Sequence, residues 1–156
     1  MLRPAILDAF ASHRFLDRLD NSCLMDLASA ATPFRLSPGQ YLARQGQSAT
    51  AFYLIQSGTV KAGVERDNGD WCPFMTVGPG GALGWSWLVP PYRWQYTCRA
   101  DTAVHGLKFD AEWLRVRCES NHELGYHFLK ELISSLAAQF ATTCEETHSP
   151  HAAEPV

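Results

Sequence analysis

From Phe34 onward the chain abandons helical spacing and breaks into short alternating segments separated by turn residues, and few folds accept that rhythm. Phe34 and Leu36 lead into Ser37-Pro38-Gly39, and Tyr41 to Arg44 is a short strand that stops at Gln45-Gly46-Gln47. Phe52 to Gln56 is strongly strand-forming, Ser57-Gly58 is a turn, and Val60, Ala62 and Val64 then alternate with Lys61, Gly63 and Glu65. Asp67-Asn68-Gly69 is a hairpin signal, because Asn and Gly accept the positive φ of a type I′ turn. Gln95 to Asp101 and Thr102 to Phe109 add two more alternating segments. Short strands at this spacing predict a barrel or jelly roll.

Helical patterns flank this region. Pro4 fits a first turn, with Ile6, Leu7 and Phe10 on one face, and a second helix begins with Asn21 or Ser22 as N-cap and carries Leu24, Leu27, Ala28 and Ala31 on one stripe. Asp110 caps a helix with Trp113, Leu114 and Val116, and Ser120 with Glu123 forms a capping box for the last helix. In that helix Leu124, Phe128, Leu129, Leu132, Ile133, Leu136, Ala137 and Phe140 recur at spacings of three and four. The stripe is wider than a surface helix needs; it either closes the domain's own core or pairs two copies about a two-fold axis.

A chain of 156 residues, 46% hydrophobic, holds one domain with a real core, assigned to residues 1–141 with a flexible tail at 142–156. No apolar run reaches the roughly 18 residues a membrane span needs, and Met1 to Phe10 lacks a signal peptide's apolar segment, so a cytoplasmic location is expected. The five cysteines are scattered and odd in number, without a C-x-x-C pair, which argues for reduced structural thiols rather than a disulfide framework or a metal site. A net charge of -3 without a basic run removes the footprint of a nucleic-acid binder.

Between the strand-like segments lies the stretch Val77 to Thr97, rich in glycine, proline and tryptophan and carrying one cation, Arg93. A short helical turn after Gly84 must end by Pro90, since Pro91 bars the helical conformation at the residue before it; the isomer of the Pro90–Pro91 bond is open at this level. Such a turn offers N–H groups that favour an anion, and with Arg93 the loop has the parts of a phosphate cradle.

Taken in order, Pro38-Gly39-Gln40, Gln45-Gly46-Gln47, Phe52-Tyr53-Leu54-Ile55, Ser57-Gly58-Thr59-Val60, the Gly78-Pro79-Gly80 turn, Leu83 to Leu88 and Arg93 resemble the cyclic nucleotide-binding domain of Crp/Fnr-type regulators over roughly residues 13–118. The resemblance implies a mainly β fold with flanking helices, a β-roll (double-stranded β-helix or jelly roll) with N-terminal helices and a long C-terminal helix at 120–141. It implies a homodimer through Leu124, Phe128, Leu132, Leu136 and Phe140, and a ligand-binding set of Gly84, Trp85, Ser86, Trp87, Arg93, Trp94 and Thr97. Cyclic AMP, cyclic GMP or another small anionic or aromatic ligand would occupy it, with Arg93 and the Gly84 to Trp87 N–H groups on a phosphate or carboxylate. Two departures stand out: Trp85 takes the place of the family's ribose-binding glutamate, and Trp94-Gln95-Tyr96-Thr97 replaces x-A-T. Losing that carboxylate removes a hydrogen bond of roughly 1.5–3 kcal/mol, so cyclic nucleotides are expected to bind weakly or not at all. The polar, proline-bearing stretch after the last helix does not suit a helix-turn-helix unit, and direct DNA binding is not expected.

Three function classes follow. A small-ligand sensor that passes its state to a partner protein is favoured by the resemblance. A protein-interaction module using the Trp-rich loop is the alternative, because Trp, Tyr and Arg dominate interface energies; the same aromatics can instead fill the pocket or line it for a flat, apolar ligand. An enzyme is not expected: no histidine cluster, G-x-S-x-G, P-loop or H-E-x-x-H occurs.

Overall fold

The computed structural model describes Ile6, Asp8, Phe10, His13 and residues 16–148, without the side chains of Gln139, Phe140 and 142–148. Its strands are β1 (Thr32–Leu36), β2 (Tyr41–Ala43), β3 (Ala51–Ser57), β4 (Val60–Glu65), β5 (Trp71–Val77), β6 (Ala82–Leu83), β7 (Thr97–Ala100) and β8 (Val104–Asp110). They form two four-stranded antiparallel sheets, ordered β1-β8-β3-β6 and β2-β7-β4-β5. The turn rhythm predicts a barrel or jelly roll, and the β-roll that the resemblance implies is what forms.

Why β3 reads as a nearly unbroken apolar run is now plain: it is buried on both faces. Tyr53 and Ile55 point into the roll with Val60, Ala62, Cys98 and Val104, while Phe52 and Leu54 point the other way into a second core. That second core is completed by Leu107 and Phe109 of β8 and by the helices α1 (Asn21–Ala30), α2 (Ala111–Ser120) and α3 (His122–His148), through Leu27, Leu114, Leu124 and Phe128. Ile6 and Phe10 join it, whereas Pro4 and Leu7 lie outside the described residues.

Several boundaries differ from the sequence reading, each for a local reason. Asp20, not Asn21 or Ser22, caps α1, its carboxylate accepting from the Cys23 N–H at 2.8 Å. Asp110 caps α2 as expected, accepting from Trp113 N–H at 2.8 Å. For α3 the capping side chain is Asn121, accepting from Leu124 N–H at 3.2 Å, while Ser120 closes α2 by donating to the Arg117 carbonyl. The β4–β5 turn is not type I′: only Gly69 has positive φ, and the Arg66 N–H bonds the Asp70 carbonyl to close a longer loop. The hairpin signal at Asp67-Asn68-Gly69 implies a following strand without setting its bounds; it is β5, whose Pro73 is tolerated because β5 is an edge of its sheet. Helix α3 runs on to His148, past the boundary expected at 141.

The wide stripe of α3 splits in two. Leu124 and Phe128 are each 1% exposed and Leu132 is buried, so these three belong to the chain's own core and are removed from the expected dimer contact. Leu129, Ile133 and Leu136 are 47%, 65% and 48% exposed and form the outward row; the Phe140 side chain lies outside the description. No helix among the described residues is long and apolar enough to cross a membrane.

His13 is buried against sheet β1-β8-β3-β6, with Nε2 3.3 Å from the Ile55 carbonyl oxygen and Nδ1 unbonded. Burial lowers its pKa below the ordinary 6.5, although the Ile55 carbonyl and Asp17 pull it upward. The unfolded chain therefore holds more protons in this range, and stability is full above the unfolded pKa and declines as pH falls toward the folded one. Urea unfolding at stepped pH should show a loss of stability from about pH 6.5 downward that is absent in His13→Leu.

Candidate functional site

At the mouth of the roll a cavity of about 250 Å³ opens between the 82–90 segment, the 94–98 segment and α3. Ala82, Leu83, Gly84, Trp85, Ser86, Val89 and Pro90 form one wall. Met75, Trp94, Gln95, Tyr96 and Cys98 form the other, and Leu132 and Leu136 of α3 close over them. No acid, base or histidine is among the lining residues, and the polar side chains are Ser86, Gln95, Tyr96 and Cys98, besides the indole N–H groups of Trp85 and Trp94. Burial pushes the Cys98 thiol up to about 12, so it stays protonated and unreactive. Among the described residues no group of three or more His, Cys, Asp or Glu is placed to hold a metal.

The expected turn after Gly84 is a 3-10 turn, Trp85–Trp87, ending before Pro90 with the Pro90–Pro91 bond cis. Gly84 precedes it at φ 94°, a conformation that side chains resist. Of the seven residues assigned to ligand binding, Gly84, Trp85, Ser86 and Trp94 line the cavity; Trp87, Arg93 and Thr97 do not. Trp87 is fully buried in the helical core, its ring 5.4 Å from Phe128 and 6.0 Å from Phe52. The Thr97 hydroxyl donates to Glu65 Oε1 at 2.8 Å and accepts the Gln45 N–H at 3.0 Å, and Glu65 in turn pairs with Arg44 at 3.7 Å.

Arg93 departs furthest from the cradle expectation. Its guanidinium is exposed and donates to the Gly46 carbonyl at 2.9 Å, and its backbone bridges to Ser48. Residues 46–49 and 92–94 are laced together there, with Trp94 N–H to the Gln47 carbonyl and Ala49 N–H to the Tyr92 carbonyl. Arg93 thus secures a strap on the outer side of the loop, while the cavity wall carries no cation.

Sequence reasoning missed Met75, Cys98, Leu132 and Leu136 as lining residues, since only the closing of the roll and the passage of α3 bring them together. It also missed Arg115 of α2, whose Nη1 donates to the Trp87 carbonyl at 2.8 Å. At Gly84 a Cβ would stand 2.8 Å from the Ala51 carbonyl oxygen and 3.0 Å from the Trp94 ring. Gly84→Ala is therefore expected to lower stability by about 1–3 kcal/mol, as read from urea unfolding.

The fold that carries this cavity is found in other proteins. No curated protein matches the sequence. Among solved structures, a candidate cyclic nucleotide-binding protein from Geobacter metallireducens GS-15 aligns at 23% identity and a TM-score of 0.77, covering 90% of this chain and 99% of that one. The sensor domain of the transcriptional regulator DNR from Pseudomonas aeruginosa aligns at 20% identity and 0.71, covering 88% and 92%. A regulatory subunit of a cAMP-independent protein kinase A from Trypanosoma cruzi, bound to guanosine, aligns at 21% identity and 0.64, covering 84% of this chain and 49% of that one. At these identities the likeness shows the fold. The sequence model of the cyclic nucleotide-binding domain matches residues 33–121, from β1 through α2 and more than half of the chain, and on that match the protein belongs to the cyclic nucleotide-binding domain family.

Proposed function

We propose that the chain is a small-ligand-sensing regulatory module, not an enzyme, whose cavity takes a flat, apolar ligand in place of a cyclic nucleotide. The observation that carries this reading is the lining: tryptophan, leucine, valine and methionine surround the cavity and no charged side chain does. A cyclic phosphate there would be desolvated without a counter-charge, which costs several kcal/mol. The volume of about 250 Å³ falls just below the usual range for small-molecule sites. Similarity to the regulatory subunit, bound to guanosine, of a cAMP-independent protein kinase A supports departure from cyclic AMP within this fold. The alternative, a loop that serves as a contact surface, is disfavoured because Trp87 and Trp94 are buried inside the fold.

The test is titration with the flat fluorophore 1-aminoanthracene, followed through its own emission and the quenching of Trp85 and Trp94. Saturable binding is expected, with Kd raised at least about tenfold by the cavity-filling change Ala82→Phe and unchanged by Arg93→Ala. Saturable heat with cyclic AMP that Arg93→Ala abolishes would refute the apolar reading.

A homodimer through α3 is the second reading, favoured by the exposed row of Leu129, Ile133 and Leu136. Exposed apolar side chains at such spacing on a helix, Leu136 among them at the cavity lip, suit a two-fold contact with a second copy. Sedimentation should give a dimer that Ile133→Glu converts to monomer; a monomeric wild-type chain at high micromolar concentration would rule the contact out.

A further inference from the structure

The segment from Trp87 to Tyr92, of which Val89 and Pro90 line the cavity, is held at both ends by one side chain that is itself outside the cavity. Arg115 is a half-buried residue of α2, and its Nη1 donates to the Trp87 carbonyl, the last residue of the 3-10 turn, at 2.8 Å. The guanidinium plane also covers the Tyr92 ring at 4.4 Å from its centroid. Tyr92 is the non-glycine residue with positive φ, 56°, among the described residues, so the ring that Arg115 covers belongs to a backbone position disfavoured on its own. Val89 and Pro90, which line the cavity, lie between the two points.

We infer that Arg115 is a positioning residue for this wall: by joining a backbone carbonyl and an aromatic face, it sets where Val89 and Pro90 stand and ties their position to α2. Arginine suits the task because a planar fork both donates and stacks, whereas a lysine donates without a planar face to lay on the ring. Helix α2 passes through Asn121 directly into α3, whose Leu132 and Leu136 form the opposite lip. The ligand part of this inference rests on the proposed reading of the cavity; the hold on the wall does not.

Hydrogen exchange on the full chain separates the two. In Arg115→Met, amides of residues 87–94 should exchange about tenfold faster while β3 and β8 keep wild-type rates, and the Kd for 1-aminoanthracene should rise about tenfold. Arg115→Lys, which keeps a cation and a donor, should fall between the two. Wild-type exchange across 87–94 in Arg115→Met would overturn the assignment, as would equal acceleration in β3 and β8, which would mark a global effect. Local acceleration in a chain that takes up no 1-aminoanthracene would sustain the hold on the wall and refute the ligand reading instead.

Discussion

Phe52 is the side chain on which the two halves of the molecule depend. It is fully buried on the helical face of β3, with ring centroids 4.7 Å from Trp85, 6.0 Å from Trp87 and 5.9 Å from Phe128. One strand residue therefore touches the loop that walls the cavity and the helix that closes it. Tilted and edge-on aromatic contacts of this kind contribute about 0.5–1.5 kcal/mol each beyond the area they bury. Because β3 is buried on both sides, no neighbouring element can shift without disturbing either the roll or the helical core.

That arrangement explains where the charges went. The cavity lies where sheet, loop and α3 converge, and each contributes apolar side chains because each is also a core element. An ionic group facing inward would need a partner in a space that supplies none. Arg93 lies on the outer strap and takes the Gly46 carbonyl, Arg115 takes the Trp87 carbonyl from the α2 side, and the Thr97 hydroxyl is held by Glu65 and Gln45. Trp85, standing where the resemblance placed a glutamate, extends the aromatic surface against Phe52 rather than offering an acceptor.

Legibility of the fold followed from local rules. The turn residues at 37–39, 45–47 and 57–58, the alternation of Val60 and Ala62, and the Asp110 cap each act over a few residues and were readable directly. The bounds of strand β5 were not, because Pro73 and mixed polarity hide them and only its edge position makes it a strand. The caps of α1 and α3 slipped by one residue because neighbouring Asp20, Asn21, Ser22, Ser120 and Asn121 are all competent caps, and backbone geometry selects among them.

By itself the sequence determined a barrel or jelly roll of short strands, the flanking helices and the glycine-led turn at Gly84, since these rest on period, turn chemistry and the φ freedom of glycine; the β-roll in particular was what the family resemblance implied. Tertiary structure alone decided which face of each side chain is inside. Trp87 and Trp85 are two residues apart, yet one is sealed in the helical core and the other lines the cavity; Leu132 and Ile133 are adjacent, yet one is core and the other faces outward. The direction in which Arg93 reaches depended on a carbonyl 47 residues away in the chain. Those choices come from long-range packing, which local patterns do not encode.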